Sequence, residues 1–158
     1  MQNEVTVRRL TADDLDVART VRLAALQDSP TAFLSTYADT VKRTDQQWLD
    51  WLGAIAVYGA FLDGEPVGMA GGWRDPVNDP GVTELIAMWV SPQARGHRIA
   101  QRLADAIVGF AREAGDKAVH LEFIAGNDSA EAAYLRYGFA HIGPRKPDQR
   151  DRSMWLDL

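Results

Sequence analysis

The sequence predicts an α+β fold in which a mixed, mostly antiparallel sheet of about seven strands is flanked by about four helices. Three observations lead to this prediction. Short apolar runs recur along the chain, and two of them flank Asp63-Gly64, a pair typical of a β-hairpin turn. Other segments have apolar residues at helical spacing beside capping residues. One such helix separates two strands, an order that predicts a parallel pair.

The predicted strands and helices follow one another in a definite order. Thr11 caps a first helix that ends near Gln27, and Thr44 begins a second that should end at Gly53. The clearest helix follows Gly96 and ends before Gly115. The strands should cover residues 5–10, 54–62, 66–73, 82–90, 118–123, 139–142 and 152–156, and a last helix should cover residues 129–137. Polar, proline-bearing segments predict a flexible loop over residues 75–81 and a hairpin loop over residues 143–150.

Composition limits the classes of function. A chain of 158 residues with 46% hydrophobic and 25% charged residues is typical of one soluble domain, which we expect to span residues 1–158. The net charge of -5 provides no general attraction for nucleic acid, so nucleic-acid binding is not expected. The sequence has no leader-like N-terminus and no apolar run long enough for a membrane span, so we expect a cytoplasmic protein.

Cysteine and histidine usage narrows the chemistry further. The chain has no cysteine, which excludes disulfides and a cysteine nucleophile. The three histidines, His97, His120 and His141, lack the spacing of a helical metal pair, and each is interpreted as structural or surface-exposed. We therefore predict that the protein uses no metal.

The turn Arg95–Ala100 is the strongest local signal for a binding site. It joins a strand end to a helix start, where free backbone N–H groups and the helix dipole favour an anion. Gly96 permits close approach of the backbone, while Arg95, Arg98 and His97 supply cationic partners for a pyrophosphate. The spacing fits neither a Walker loop nor a dinucleotide-binding fingerprint. Taken alone, this turn indicates only a possible anion site.

Two blocks together resemble the GNAT N-acetyltransferase superfamily. Residues 90–103 resemble its acyl-CoA pyrophosphate motif, Arg/Gln-x-x-Gly-x-Gly/Ala, with Arg95 and Ala100 at the two ends and Arg98 where the family usually has glycine. Residues 127–139 match all five fixed positions of its second motif, Asn-x-x-Ala-x-x-x-Tyr-x-x-x-Gly-Phe. The blocks occur in family order, and the predicted elements cover nearly the whole chain as the family fold would.

The resemblance implies where acetyl-CoA, the acyl donor, would bind. It would lie between two splayed parallel strands, residues 82–90 and 118–123. The resemblance assigns donor contacts to the backbone of Met88, Trp89 and Val90, to the turn residues Arg95, Gly96, His97, Arg98, Ile99 and Ala100, and to Asn127 and Tyr134.

The resemblance also implies a general acid, Tyr134, placed to protonate the departing CoA thiolate. A phenol with a pKa near 10 is protonated at neutral pH and can donate to a thiolate of pKa about 8.5. Without the motif, Ala130, Ala133, Tyr134 and Tyr137 are simply a buried helical stripe.

Glu84 resembles the position where several family members carry a base, and it can act through water to deprotonate the acceptor amine. The alternative is an ordinary exposed strand glutamate. Glu122 on the neighbouring strand is a second candidate base, ranked below Glu84. The aromatic residues Phe33, Tyr37 and Trp73 are candidates for the acceptor pocket, and each could equally belong to the core.

We therefore expect direct transfer of an acetyl group from acetyl-CoA to a primary amine in a ternary complex, with a small-molecule acceptor. The alternatives are a non-catalytic acyl-CoA sensor and an enzyme that acts on a protein or aminoacyl-tRNA amine. A basic cluster of Arg145, Lys146, Arg150 and Arg152 is interpreted as a solvated loop. The tryptophan-rich segment Trp48–Leu52 and the last strand suggest a possible homodimer.

Overall fold

The computed structural model describes residues 4–33, 35–124, 126–145 and 152–158. Its strands are β1 (Val5–Arg9), β2 (Ala56–Leu62), β3 (Glu65–Asp75), β4 (Asp79–Val90), β5 (Ala118–Phe123), β6 (Ala140–Ile142) and β7 (Arg152–Asp157). They form one sheet in the order β1-β2-β3-β4-β5-β7-β6. Neighbouring strands are antiparallel except β4 and β5, which are parallel. The predicted mixed sheet with a central parallel pair is confirmed.

The parallel strands β4 and β5 separate towards their carboxyl ends. Residues Val82–Glu84 of β4 pair with Ala118–His120 of β5, and the pairing of these two strands ends there. Beyond that point β5 continues beside β7, whereas β4 continues beside β3 as far as Val90. The strands are therefore splayed as expected, and Glu84 and His120 form the last pair before the gap opens.

Five helices are present among the described residues, and they cover both faces of the sheet. They are α1 (Leu15–Asp28), α2 (Tyr37–Thr40), α3 (Asp45–Ala54), α4 (Ile99–Glu113) and α5 (Asp128–Tyr137). Trp89 and Val90 are adjacent on β4 yet belong to different hydrophobic clusters, because successive side chains of a strand point to opposite faces. Helix α4 packs in the cluster of Val90, and α1 and α3 pack in the cluster of Trp89.

The segment predicted as a flexible loop, residues 75–81, is a short hairpin turn. Strand β3 extends to Asp75 and β4 already begins at Asp79. The Asp75 carboxylate accepts hydrogen bonds from the N–H groups of Val77 and Asn78, at 3.3 and 3.1 Å. The prediction was wrong because polarity and proline indicated a loop, whereas Asp75 closes the turn with its own side chain.

Helix boundaries also differ from the prediction. Helix α3 continues through Gly53 to Ala54. Tyr37 begins a one-turn helix, α2, where the sequence predicted no helix and which Thr36 caps by accepting a hydrogen bond from the Asp39 N–H. The predicted hairpin loop over residues 143–150 lies largely outside the described residues.

The features that suggested a homodimer pack inside the chain. Trp48 is 1% exposed and Leu52 is 6% exposed, so neither offers an apolar surface to a second copy. The last strand, β7, lies between β5 and β6 and not at an edge of the sheet. The periodicity of the Trp48–Leu52 segment therefore marks a core-facing helix.

A buried carboxylate, Asp116, fixes the beginning of β4. It accepts hydrogen bonds from the Thr83 hydroxyl at 2.5 Å and from the Arg74 guanidinium at 2.9 and 2.7 Å. The hydrogen bond from Arg74 is the main reason why the pKa of Asp116 lies below its usual range. This network holds the strand on which the next residue, Glu84, faces the gap between β4 and β5.

Candidate active site

The gap between β4 and β5 opens into a cavity of about 890 Å³. Eight of the candidate site residues line it: Phe33, Trp73, Glu84, Met88, Ala100, Glu122, Asn127 and Tyr134. A second cavity of about 670 Å³ lies between α4 and α5. The two cavities share Ala100, Ala133 and Tyr134, so they meet where these helices face each other.

The turn before α4 presents a row of free main-chain donors. The N–H groups from Gly96 to Gln101 make no hydrogen bond within the described part of the chain, and the first helical bond runs from Arg102 N–H to the Arg98 carbonyl. Gly96 has a φ of 93° and Arg98 a φ of 57°, so positive-φ residues turn successive amides towards one side. A helix N-terminus with this many free amides fits a pyrophosphate.

Arg98 has the backbone conformation that explains why the family pattern has glycine at this position. Its φ of 57° and ψ of 29° lie in the left-handed region. The side chain is exposed and lines the second cavity together with Arg112 and Arg136. Arg98 therefore keeps the glycine-like path of the turn and adds a third cation to that cavity.

Arg95 is engaged with other protein groups. Its guanidinium lies 3.4 Å from the Asp28 carboxylate and donates to the Val90 carbonyl at 3.3 Å. Asp28 also accepts a hydrogen bond from the Trp89 indole at 2.9 Å, which is the main cause of its lowered pKa. These contacts tie the end of α1 to the end of β4. Arg95 thus has a structural position beside the predicted anion site.

The remaining turn residues differ in their exposure. Ile99 is 2% exposed and belongs to the core, so only its main chain can take part in binding. His97 is half-buried. The predicted contribution of Ile99 is consequently that of its main chain, whereas the His97 side chain keeps access to the surface.

A β-bulge interrupts β4 at the cavity. Met69 pairs with Trp89 and Gly71 with Ile86, so Ala87 and Met88 together face Ala70. Ala87 has a φ of 57°, an unfavourable conformation for a residue with a Cβ. The bulge frees main-chain groups beside Met88, which lines the cavity, while the Trp89 side chain packs in the core on the opposite face.

Helix α5 carries the second sequence block into the site. The Asn127 side chain caps the helix by accepting a hydrogen bond from the Ala130 N–H at 3.4 Å. Tyr134 packs edge-on against Phe139, with ring centroids 5.7 Å apart, and is half-buried. Burial raises the pKa of its phenol above the ordinary value. The predicted stripe on α5 faces the two cavities, because Ala130, Ala133 and Tyr134 line the first and Tyr137 lines the second with Ala133 and Tyr134.

Glu84 lies in a charged cluster at the base of the cavity. Its carboxylate is 2.6 Å from His120 Nδ1 and 3.3 Å from Arg145 Nη1. Arg145 also binds Asp79 at 2.6 and 2.7 Å, and this contact lowers the pKa of Asp79. The Glu84 side chain is 19% exposed, so it is not an ordinary exposed strand glutamate.

Two interpretations made from the sequence change at this cluster. His120 is 1% exposed and lines the cavity, so it is a residue of the candidate site as well as of the core. Arg145 is no solvated cation, because it pairs with two carboxylates and lies 5.1 Å from the Trp155 ring. Lys146 and Arg150, from the same predicted basic cluster, lie outside the described residues. No local pattern in the sequence indicated these contacts, because Glu84 and Asp79 lie 61 and 66 residues before Arg145.

The acceptor side of the cavity is only partly as predicted. Phe33 and Trp73 line it, whereas Tyr37 is exposed and is not among the lining residues. Glu122 lines it too, with its side chain exposed. Sequence reasoning missed Arg22. The signal was its position among the buried residues of α1, one residue after Val21 and three before Ala25.

Neither a metal centre nor a membrane-spanning helix is found in the described ranges. No cluster of three or more histidine, cysteine or acidic side chains there could hold a metal ion. No helix in those ranges combines the length and apolar character that crossing a membrane requires.

Comparison with known proteins agrees with the geometry. Residues 22–139 match the sequence model described as the acetyltransferase (GNAT) family. A search of curated proteins gave no match. The fold is similar to that of PaiA N-acetyltransferase from Thermoplasma acidophilum in complex with coenzyme A, with 17% identity, a TM-score of 0.76, and coverage of 98% of this chain and 99% of that one.

Two further solved structures have the same fold. YncA from Salmonella typhimurium, with its cofactor acetyl-CoA, is 18% identical with a TM-score of 0.75, over 98% of this chain and 94% of that one. Ribosomal-protein-alanine N-acetyltransferase from Brucella melitensis is 24% identical with a TM-score of 0.75, over 97% and 99%. Because all three sequence identities are below 25%, these comparisons show a shared fold alone.

Proposed function

The chain belongs to the acetyltransferase (GNAT) family, and from this premise we propose that it transfers an acetyl group from acetyl-CoA to the primary amine of a small molecule, by direct attack in a ternary complex. One observation carries the proposal. Tyr134 stands at the junction of two cavities, one bordered by free main-chain amides and the other by carboxylates. The proposed unit is a single domain over residues 1–158, acting in the cytoplasm.

Main-chain groups form the proposed donor site. The free amides from Gly96 to Gln101 would hold the pyrophosphate, and the backbone at the bulge, from Met88 to Val90, would hold the pantetheine arm. Asn127 would contact the same arm while it caps α5. Acetyl-CoA bound there would supply the acetyl group and a thiolate as leaving group. The coenzyme A and acetyl-CoA in the PaiA and YncA structures support this donor.

Tyr134 is the proposed general acid. As the carbon–sulfur bond breaks, its hydroxyl would donate a proton to the departing sulfur. The raised pKa keeps the phenol protonated at neutral pH, which this role requires. The hydroxyl has no hydrogen-bond partner in the part of the chain that the structure describes, so its proton is not committed to another group.

Glu84 is the proposed base. A lysine-like amine must lose a proton before attack, which costs about 4.6 kcal/mol at pH 7. Glu84 would accept that proton directly or through water, with His120 and Arg145 fixing its carboxylate. Glu122 is the second candidate, because it lines the same cavity, although no hydrogen bond to another described residue fixes its carboxylate.

The small-molecule acceptor is supported by the concave shape and the charged lining of the cavity. The carboxylates of the cavity attract a protonated amine. Arg145 forms ion pairs with Asp79 and Glu84, so its charge contributes less to a basic surface that could bind RNA. The alternatives are a protein amine, as the name of the Brucella melitensis protein indicates for that enzyme, and a non-catalytic sensor of acyl-CoA.

A panel of primary amines with acetyl-CoA tests the proposal, with release of CoA thiol and the mass of the product as readouts. Wild-type protein should acetylate at least one amine. Tyr134→Phe should lower kcat by about 100-fold or more with the Kd of CoA unchanged, because only proton donation is lost. Tyr58→Phe is the matched control, since Tyr58 lines neither cavity. Tight CoA binding without turnover of any amine would favour the sensor.

The pH profile gives an independent check on Tyr134. The raised pKa means that the phenol keeps its proton through the range in which the acceptor amine loses its own. The rate should therefore rise with pH and show no fall from ionisation of Tyr134 below about pH 10. A descending limb near pH 8 that disappears in Tyr134→Phe would contradict the assignment.

A further inference from the structure

Arg22 is a buried cation that lines the cavity and has no carboxylate partner among the described residues. It lies on the core-facing side of α1 and is 7% exposed. Its Nη1 atom is buried and has no hydrogen-bond partner within the described residues. No aspartate or glutamate of those residues forms an ion pair with it. Buried arginines are ordinarily paired, so this one requires an explanation.

A second arginine makes the local charge more positive. Arg43 also has a buried Nη1 atom without a partner in the described part of the chain. Burial, together with the smaller effect of repulsion from Arg43, lowers the pKa of Arg22 to about 10. Both cations lie against aromatic rings: Arg22 lies 4.7 Å from the Phe33 ring centroid and Arg43 lies 4.9 Å from that of Trp48. These rings orient the cations but leave the donors unsatisfied.

The same cavity is acidic elsewhere. Asp75, Asp79, Glu84 and Glu122 line it, and they favour the protonated amine of an incoming acceptor. Arg22 stands in the same lining beside Phe33, from α1 and the segment that follows it. A cavity that offers carboxylates to one end of a molecule and a free guanidinium to another suits an acceptor with both charges.

We propose that the acceptor is an amine that also carries an anionic group, a carboxylate or a phosphoryl group, which binds to the guanidinium of Arg22. This inference rests on the proposed function, because it specifies the acceptor of the same site. Arg22 would donate from its unpaired Nη1 to the anion, and the charge of Arg43 would strengthen the positive potential there. The anion would satisfy the donor that the protein itself leaves unpaired.

Matched pairs of amines test the inference. Each pair shares one amine and differs in charge: α-amino acids against their amides, and phosphoethanolamine against ethanolamine. With acetyl-CoA, one anionic class should have a kcat/KM at least about 10-fold higher than its neutral partner, through a lower KM. The two kinds of pair distinguish a carboxylate from a phosphoryl group.

Variants of Arg22 make the test specific to this residue. In Arg22→Met the preference for the anionic partner should fall to less than about 3-fold, while Arg22→Lys should keep part of it. Arg19→Met is the matched control, because Arg19 lies on the same helix but pairs with Asp16 and Asp45 outside the cavity. An unchanged preference in Arg22→Met would overturn the inference.

Thermal denaturation supplies a readout that does not depend on turnover. Without ligand, Arg22→Met should have a Tm equal to or above that of wild type, because it removes a buried unpaired charge. In saturating CoA, the anionic member of at least one kind of pair should raise the Tm of wild type more than its neutral partner does, and it should not raise the Tm of Arg22→Met. Equal shifts in both proteins would overturn the inference.

The outcomes separate the two proposals. If wild type acetylates amines but prefers the anionic member in neither kind of pair, the inference fails and the proposed function stands. If wild type acetylates no amine, the proposed function fails, and the difference in Tm shift between wild type and Arg22→Met still decides whether Arg22 binds an anion.

Discussion

The two halves of the candidate site are built from different parts of the protein. The donor half uses the main chain of β4, the turn Gly96–Gln101 and the capped start of α5. The acceptor half uses side chains, among them Arg22, Glu84 and Arg145, that are far apart in sequence. Main-chain binding depends on local conformation, whereas side-chain binding depends on which residues the fold brings together.

This difference explains the tolerance of the donor half. Arg98 replaces the glycine of the family pattern, yet the turn keeps a positive φ at that position and its amides remain free. This substitution changes a side chain but leaves the main-chain N–H groups that would bind the donor unchanged. A charge change at Glu84 or Arg22 would instead change the groups that meet the acceptor, so the two halves should respond differently to mutation.

The largest effect is expected in the donor half from Gly96→Glu. Gly96 is exposed and has a φ of 93°, and a Cβ added there would meet no atom within 4 Å, so the new carboxylate would enter the anion site without displacing core residues. The negative charge and the backbone strain should weaken CoA binding by about 100-fold or more. Isothermal titration of CoA measures the change.

Gly109→Glu is the control for that measurement. Gly109 lies in the same region of the chain, in α4, and a Cβ there also meets no atom within 4 Å. It adds the same charge to a helical position away from the turn, so CoA affinity should stay close to that of wild type. Unchanged CoA affinity in a folded Gly96→Glu protein would remove the turn from the donor site.

A smaller effect is expected in the acceptor half from Glu84→Gln. Glutamine keeps the size of the side chain and can still accept from His120, but it cannot take a proton from the amine. The kcat should fall by about 10- to 100-fold while the Kd of CoA is unchanged. Steady-state kinetics with the preferred amine provides the measurement, and the matched variant is Glu122→Gln. A larger loss in Glu122→Gln would transfer the role of base to Glu122.

The same contrast between the two halves determined how much the sequence could predict. The sheet, its parallel pair and the block containing Asn127 and Tyr134 follow from short-range patterns, because turns, caps and periodicity act over a few residues. The resemblance also proposed Glu84 as a base, and this residue lines the cavity. Local patterns define these features almost completely.

The rest of the acceptor half depends on long-range contacts. Arg145 reaches Glu84 across 61 residues of sequence, and His120 reaches it across 36. The contact between His120 and Glu84 results from the pairing of β4 with β5, and no pattern within either strand indicates it. Tyr37 illustrates the reverse error, since an aromatic residue in the right segment was assigned to the cavity and lies outside its lining.

The smallest effect is expected from Arg98→Gly, which restores the glycine of the family pattern. Glycine has no penalty at a φ of 57°, so relief of strain should stabilise the turn by about 1 kcal/mol, while loss of one exposed cation should weaken CoA binding slightly. We expect the Kd of CoA to change less than about 3-fold and the Tm to rise.

Arg112→Gln, which removes a neighbouring cation of the second cavity without a change of φ, separates the charge effect from the backbone effect. A loss of CoA affinity above about 30-fold in Arg98→Gly alone would make the side chain a principal phosphate ligand, and the donor half would then depend on a side chain as the acceptor half does.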